Sequence, residues 1–317
     1  MANRQSSTRR SPKANRGAPK PSRALVLINR KSGTVRSRGA EAVKELVEEK
    51  LGKAFSRLDV ELIEGDATRR IEHARDSGEY DVIIAGGGDG TISSTAGLLS
   101  GTNIILGALP LGTMNLFVQA LGFSPRLDGA LDQLAAAHVE AIDVGTVNGR
   151  VFLHQVSFGL QPRMARIRER MGYSSRLTKM FTGFRALLIV AANPKLVRVR
   201  VDADGAAQKV KAPLLIVSNN PLGAKSNVSL PQTLSSGQLG YYILTEFSFR
   251  MLFRLARDYL ANRFDANEAI EKRTVTALTI KKRSRNRLRR RKKLKILSSI
   301  DGEIVHLDNP VSFTISP

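Results

Sequence analysis

The chain has 317 residues, with 50 Lys and Arg against 28 Asp and Glu, a formal net charge of +22 and no cysteine. This length can build two hydrophobic cores, and the lack of cysteine excludes disulfides and thiolate metal sites, which suits a reducing compartment. The longest uninterrupted apolar run, Ala186–Ala192, is too short to cross a bilayer, and Ala24–Ile28 is too short for a secretory signal, so we expect a cytoplasmic protein.

Residues 1–23 are rich in Ser, Pro and Gly and poor in apolar residues, so we expect a disordered basic tail. From residue 24 to residue 142, predicted strands alternate with predicted helices. This alternation is typical of a Rossmann-like α/β domain with a parallel sheet between helices. The predicted strands are Ala24–Ile28, Leu58–Ile63, Asp81–Ala85 and Asn103–Ala108, and the helices are Gly39–Phe55, Ala67–Asp76, Ile92–Leu99, Leu116–Leu121 and Leu127–Ala137.

From residue 143 to residue 317 the pattern changes to short strands and turn signals. Val144–Val147 and Val151–Phe158 flank Asn148-Gly149, the strongest short hairpin signal, and Leu196–Val201 and Lys209–Val217 flank Asp204-Gly205. Two helical stretches interrupt the strands, at Pro162–Ala191 and Phe249–Asn262. We therefore predict a second, mainly antiparallel β domain. Its further strands are Tyr241–Thr245, Val275–Ile280, Ile296–Ile300 and Val311–Ile315.

The positive charge is concentrated in two segments. Residues 1–23 carry seven Lys or Arg and residues 281–295 carry eleven, without any acid, which leaves about +4 for the rest of the chain. Because residues 281–295 lie between two predicted strands, we predict a basic hairpin there. Such clusters favour an anionic membrane surface. Nucleic acid is not expected as a partner, because the segment has no aromatic residue for base stacking.

Two glycine-rich loops follow predicted strands and lead into predicted helices. A strand that turns through glycines into a helix forms a phosphate site, because free backbone N–H groups and the helix dipole face the anion. In an α/β sheet both loops are expected to face one crevice and to hold a polyphosphate from two sides. The first loop contains Gly87, Gly88, Asp89, Gly90 and Thr91, and the second contains Gly112, Thr113 and Asn115.

Four motifs in register resemble the diacylglycerol kinase catalytic-domain family, which includes bacterial lipid kinases and sphingosine kinases. They are Asn29-Arg30-Lys31-Ser32-Gly33, Gly87-Gly88-Asp89-Gly90-Thr91, Pro110-Leu111-Gly112-Thr113-Met114-Asn115 and Asp301-Gly302-Glu303. The resemblance implies a nucleotide-binding α/β domain followed by a β-sandwich, with the active site between them. It also implies ATP as phosphate donor, Mg²⁺, and a lipid hydroxyl as acceptor. Asn29, Ser32 and Gly33 are candidates for contacts to phosphate or ribose, and Lys31 could add charge.

The resemblance places the proton acceptor in Asp301-Gly302-Glu303. In an extended segment, residues two apart project from one face, so Asp301 and Glu303 are predicted to act together. Asp89 is the rival base, because sphingosine kinases are thought to use the Asp of this loop. We expect Glu303 and Asp301 to handle the proton and Asp89 to position metal and hydroxyl. The four histidines show no metal-ligand spacing.

Three residues depart from the family pattern. Arg30 replaces the usual Pro, and Leu116 stands where many members carry a second Asp. Ser236 occupies a position at which some members use Asp for a structural Mg²⁺. A hydroxyl is a poorer ligand for that ion, so we do not expect this second metal site.

The sequence therefore predicts an ATP-dependent lipid kinase that acts on diacylglycerol or a related lipid, peripherally bound to the inner face of the membrane. The basic hairpin and the N-terminal tail would contact anionic lipid. Two alternatives stay open: a kinase for a soluble substrate such as NAD, and a non-catalytic module that binds anionic lipid or nucleic acid. Oligomeric state is also left open, with a homodimer among the options.

Overall fold

The computed structural model describes residues 22–171, 195–223, 230–231, 233–245, 270–282 and 294–316. Its first part is a four-stranded parallel sheet in the order β2-β1-β3-β4. The strands are β1 (Arg23–Asn29), β2 (Arg57–Ile63), β3 (Val82–Gly87) and β4 (Ile105–Pro110). The helices are α1 (Gly33–Arg38), α2 (Ala40–Leu51), α3 (Thr68–Asp76), α4 (Asp89–Leu99), α5 (Leu116–Ala120) and α6 (Leu127–Ala135).

Helices cover both faces of this sheet, as the alternating pattern predicts. Alternate residues of β1 face opposite layers, because successive strand side chains point to opposite sides. Val26 packs in a cluster with Val47 of α2 and Leu131 of α6. Leu27 packs on the other side with Ile71 of α3. Two hydrophobic layers therefore hold the carboxyl ends of β1, β3 and β4 at one edge of the sheet.

The second part contains two antiparallel sheets of six strands each, in the orders β6-β5-β16-β13-β8-β9 and β12-β11-β10-β7-β14-β15. Both sheets contribute to one core, in which the ring of Phe313 packs edge-on against Phe152 and Phe158 at 6.1 and 6.2 Å between centroids. The predicted fold class, a parallel α/β unit followed by a β-sandwich, is confirmed. The elements are β5 (Val144–Val147), β6 (Arg150–Phe152), β7 (Gln155–Gly159), α7 (Leu160–Met171), β8 (Val197–Ala203), β9 (Ala206–Ala212), β10 (Leu214–Asn219), β11 (Leu239–Leu244), β12 (Ile270–Val275), β13 (Ala277–Lys281), β14 (Lys295–Ile300), β15 (Glu303–Asp308) and β16 (Val311–Ser316).

Three predicted strands are each two strands in the structure. The predicted strands Val151–Phe158, Lys209–Val217 and Val275–Ile280 divide into β6 and β7, β9 and β10, and β12 and β13. In each pair the first and second strands belong to different sheets. The apolar pattern continues through each crossing because both sheets face the same core, so sequence periodicity does not reveal the break.

Contrary to the prediction of a basic hairpin over residues 281–295, the strands on either side of that segment do not pair with each other. Strand β13 pairs with β8 and β16, whereas β14 pairs with β7 and β15 in the other sheet. The basic segment therefore connects two sheets. The N-terminal tail, the helix Phe249–Asn262 and most of the helix Pro162–Ala191 lie outside the described residues. No helix in the described ranges is long and apolar enough to cross a membrane.

Candidate active site

The first glycine loop connects β3 to α4 directly. Gly87 ends β3, Gly88 follows it, and α4 begins at Asp89, three residues earlier than the sequence pattern predicts. The first-turn N–H groups of α4 have no partner inside the helix and are available to an anion. A Cβ at Gly87 would lie 2.5 Å from the Cβ of Thr91, so a larger residue there would displace the threonine.

The second glycine loop lies directly against the first. A Cβ at Gly112 would lie 2.5 Å from the Cα of Gly88, so the two backbones approach more closely than any side chain allows. The side chain of Asn115 closes this loop from inside: its Oδ1 accepts the Gly112 N–H at 2.9 Å, and its Nδ2 donates to the Gly112 carbonyl at 3.3 Å. Asn115 is buried, whereas Thr113 is exposed. The structure therefore gives Asn115 internal partners and leaves Thr113 accessible.

The turn after β1 joins the same crevice through Asn29. The Nδ2 of Asn29 donates to the Thr91 hydroxyl at 3.4 Å, and its Oδ1 accepts the Lys31 N–H at 2.9 Å. The hydroxyl of Ser32 donates to the Asn29 carbonyl, which holds the turn that leads to Gly33. Lys31 is exposed. Three of the four sequence motifs thus meet at the carboxyl edge of the sheet.

Asp89 is a half-buried residue of the first turn of α4. Its Oδ1 accepts the Phe117 N–H at 3.2 Å, so the carboxylate lies at the start of α5. Burial raises the pKa of Asp89, although the hydrogen bonds from the Phe117 and Leu116 N–H groups oppose that shift. A buried carboxylate of this kind favours a nearby cation or proton donor.

Asp301 and Gly302 form the turn between β14 and β15, with φ of 45° and 94°. The prediction that Asp301 and Glu303 project from one face of an extended segment is therefore wrong. The Asp301 carboxylate is buried and accepts four hydrogen bonds. The donors are the hydroxyl of Ser93 at 2.6 Å and the backbone N–H groups of Leu153, His154 and Gln155 at 2.8, 3.0 and 2.8 Å.

The positions of these four donors show which parts of the fold Asp301 connects. Ser93 belongs to α4, and the three backbone donors lie in the crossing from β6 to β7. Asp301 therefore fixes the β14–β15 turn against the α/β unit. Each of its two carboxylate oxygens accepts two hydrogen bonds, so the protein holds this side chain in place.

Glu303 is the first residue of β15 and is exposed. Its carboxylate lies against Gly90 so closely that a Cβ at Gly90 would overlap Oε1. Glu303 also lines a cavity of about 240 Å³ together with Asn29, Gly90 and Thr91. The structure thus places an accessible carboxylate at the N-terminus of α4, beside the glycine loop.

The rest of the cavity wall was not predicted from the sequence. Gly65 and Asp66 come from the turn after β2, Thr68 is the first residue of α3, and Ser94 and Thr95 come from α4. Asp66 Oδ1 accepts the backbone N–H and the hydroxyl of Thr68 at 3.0 and 2.6 Å. The position of Gly65 two residues after the end of β2 is the signal that could have indicated this turn. The floor is apolar, formed by Leu27, Ile63, Ile71, Ala85 and Leu98.

Among the described residues, no cluster of three His, Asp or Glu side chains could hold a metal ion. The region around Ser236 is held by protein contacts instead. The backbone N–H and hydroxyl of Ser236 both donate to Asn220 Oδ1, at 2.9 and 2.5 Å, and the Gly237 N–H donates to the buried Asp143 at 2.6 Å. These contacts tie the loop at Ser236 to the end of β10 and to Asp143.

Comparison with known proteins shows which family this chain resembles. Residues 23–147 match the family model of the diacylglycerol kinase catalytic domain. A diacylglycerol kinase of Staphylococcus epidermidis is 39% identical over 113 residues, 35% of each chain. A Staphylococcus haemolyticus relative, provisionally named a lipid kinase, is 28% identical over 197 residues, which are 60% of this chain and 63% of that protein.

The match to these curated relatives thus spans less than two thirds of their length. A crystal structure of a Bacillus anthracis protein resembles the fold more completely, with a TM-score of 0.70 over 94% of this chain and 96% of that chain at 20% identity. The similarity to the family inferred from the sequence motifs is confirmed. The matched part, residues 23–147, covers about two fifths of the chain and contains three of the four sequence motifs.

Proposed function

We propose that this chain is an ATP-dependent lipid kinase that transfers the γ-phosphate of ATP to a hydroxyl of a membrane lipid, diacylglycerol or a related lipid. The observation that carries the proposal is the position of Glu303. Its accessible carboxylate lies against Gly90 at the start of α4, where the first glycine loop and the cavity meet. Phosphoryl transfer to a hydroxyl needs held phosphates and a base beside the acceptor.

The nucleotide would occupy the carboxyl edge of the sheet. The loop Gly87–Thr91 presents the first-turn N–H groups of α4 to the phosphates, and Gly112 and Thr113 approach from the second loop. Asn29, Ser32 and Gly33 border the same crevice. The cavity, with an apolar floor and the polar rim of Asp66 and Thr68, suits the nucleoside. In this assignment residues 24–142 bind ATP, and residues 143–317 supply the base and bind the lipid.

Glu303 would accept the proton of the lipid hydroxyl while the hydroxyl oxygen attacks the γ-phosphorus of ATP, the bond from that phosphorus to the β,γ-bridging oxygen breaks, and ADP leaves. Asp301 would act as a positioning residue, since its four hydrogen bonds hold the turn that precedes Glu303. We favour Glu303 over Asp89 as the base because the exposed Glu303 carboxylate lines the cavity, whereas Asp89 does not line it and its Oδ1 accepts the Phe117 N–H.

Mg²⁺ would enter with ATP, and Asp89 is the residue that would hold it. Half-buried at the first turn of α4, its carboxylate is of the ligand type that Mg²⁺ prefers. Such an ion keeps several waters and phosphate oxygens as ligands, so one or two protein carboxylates suffice. When bound, the ion neutralises charge on the phosphates.

The membrane assignment follows from the lipid acceptor and from the charge of the chain. Eleven Lys and Arg in residues 281–295 and seven in residues 1–23 would attract the anionic inner face of a membrane. We therefore place the protein in the cytoplasm, peripherally bound to that surface.

A panel of acceptors tests this proposal. The full chain is incubated with γ-labelled ATP and Mg²⁺ and offered diacylglycerol, a sphingoid base or ceramide in anionic vesicles, or NAD in solution. Label in a lipid product supports the proposal and identifies the acceptor. Label in NAD alone would establish the soluble-substrate alternative, and no labelled acceptor with vesicle binding intact would establish the non-catalytic one.

A further inference from the structure

The outer face of strands β13, β8 and β9 carries cations directly opposite one another. These strands are neighbours in their sheet. Arg200 of β8 pairs with Lys209 of β9 on one side and with Lys281 of β13 on the other, and Arg198 pairs with Lys211 in the adjoining row. All five side chains are exposed. We call Arg198, Arg200, Lys209, Lys211 and Lys281 the basic sheet face.

All five cations point to the same side of the sheet. The residues between them along the strands, such as Val199, Val201 and Val210, are buried in the sandwich core. The alternation of strand side chains therefore projects the cations outward together. The same face of these three strands carries one carboxylate, that of the half-buried Asp202.

This arrangement is unfavourable for the isolated fold. Side chains directly opposite on paired strands lie about 5 Å apart at Cβ, and like charges in these positions are destabilising. Within the described ranges, none of the five cations forms an ion pair that relieves the repulsion. Three cations in one row across three strands indicate an external anionic partner.

Protection of the sheet edge accounts for only part of the pattern. Strand β9 is an edge strand, and edge strands often carry Lys to prevent pairing with other chains. That role explains Lys209 and Lys211. It does not explain Arg198 and Arg200, because β8 lies inside the sheet between β9 and β13.

We propose that the basic sheet face binds the surface of a bilayer that contains anionic phospholipid. A sheet presents its cations on a broad surface that matches a plane of headgroups, and each Lys or Arg near such a surface raises binding by about fivefold. The other outward residues in these strands include Ala207 and Thr279, neither of them aromatic, so nucleic acid bases would lack a stacking platform there.

Two further observations fit a membrane as the partner. Lys281 ends β13 and is followed by Lys282, which is also exposed. Leu196, immediately before β8, is one of the few large apolar side chains exposed in the described structure, at 38%. An exposed leucine beside cations suits an interface where apolar contact and charge act together. The choice of a membrane as partner rests on the proposed lipid kinase function.

Vesicle binding of the full chain tests the inference. The triple variant R200Q/K209Q/K281Q removes one complete row, and K53Q/R126Q/R150Q removes the same charge from exposed positions elsewhere. Cosedimentation is measured without nucleotide on vesicles of phosphatidylcholine with phosphatidylglycerol and on phosphatidylcholine alone. We expect the partition coefficient of the row variant onto the anionic vesicles to be lower than that of the wild type by about tenfold or more. The matched control should bind like the wild type.

Equal binding by the row variant and the wild type would overturn the inference. So would a row variant that still binds anionic vesicles while it loses affinity for a DNA duplex, since that result would assign the face to nucleic acid. Because the substitutions remove repulsion between like charges, the melting temperature of the row variant should equal or exceed that of the wild type. A loss of vesicle binding with an undiminished melting temperature therefore cannot be due to unfolding. The assay needs no phosphate transfer, so its outcome is independent of whether the chain proves to be a kinase.

Discussion

The hydroxyl of Ser93 in α4 donates a 2.6 Å hydrogen bond to the buried carboxylate of Asp301, in the turn between β14 and β15. These residues are 208 positions apart in the chain. Their bond joins the helix that follows the glycine loop to the turn that precedes Glu303. The proposed base thus depends on a contact between the parallel sheet's helix layer and the β-sandwich.

Substitution at this contact should lower stability by graded amounts. We expect Asp301→Asn to cost about 3 kcal/mol of unfolding free energy, because one oxygen that accepts two hydrogen bonds becomes a donor. Ser93→Ala should cost about 1 kcal/mol, because one of four donors is lost. Urea denaturation measures both. Ser94→Ala on the exposed side of the same helix is the matched control, and equal stability of the Ser93 and Ser94 variants would contradict the importance of the bond.

Alanine should have different effects at two glycines of α4: it should lower the rate of phosphate transfer at Gly90 and raise thermal stability at Gly97. A Cβ at Gly90 would overlap the end of the Glu303 side chain, which is flexible and can move away. Gly90→Ala should therefore keep the fold and lower the rate of phosphate transfer by about 100-fold through displacement of the base.

Gly97→Ala is the control for that substitution. Its Cβ would meet only the Cβ of Val151 at 3.7 Å, an ordinary contact, and alanine favours a helix by about 1 kcal/mol over glycine. We expect higher thermal stability and unchanged activity from this variant. If both alanine variants kept full activity, Glu303 would not need its position against Gly90.

His154 should make folding stability depend on pH. It is buried, and burial lowers its pKa below the usual 6.5 more strongly than Asp301 and Asp89 raise it. The unfolded state therefore binds a proton at a higher pH than the folded state, so stability is lost as the pH falls below 6.5. Between about pH 7.5 and about pH 5.5, the melting temperature of the wild type should fall more than that of His154→Gln. Equal falls in the melting temperature of the wild type and of His154→Gln would show that His154 does not contribute to the pH dependence of stability.

The loop around Ser236 should be stable without a metal ion. Ser236→Ala should lower the free energy of unfolding by about 1 kcal/mol. The buried Asn220 Oδ1 accepts both the N–H and the hydroxyl of Ser236, and the substitution removes the hydroxyl. Without nucleotide, a chelator should leave the melting temperature of the wild type unchanged. A clear loss of stability in chelator that Mg²⁺ reverses would contradict the contacts seen there.

The sequence predicts most of the α/β part because local signals agree with the tertiary structure. Buried strands such as Val82–Gly87 are continuous apolar runs, and glycines mark the turns that follow them. The strand crossings in the sandwich are not predictable in this way, because β6 and β7 share one apolar pattern while they belong to different sheets. The hydrogen bonds of Asp301 depend on residues far away in sequence, so its role differs from that expected for a carboxylate two residues from Glu303.

The most direct test of the account is the rate of phosphate transfer from γ-labelled ATP to a short-chain diacylglycerol in anionic micelles, compared between the wild type and Glu303→Gln. The glutamine keeps the shape of an exposed side chain and removes its basicity, so we expect unchanged stability and a rate lower by about 100-fold or more. A glutamine variant that transfers phosphate as fast as the wild type would contradict the assignment of Glu303 as the base.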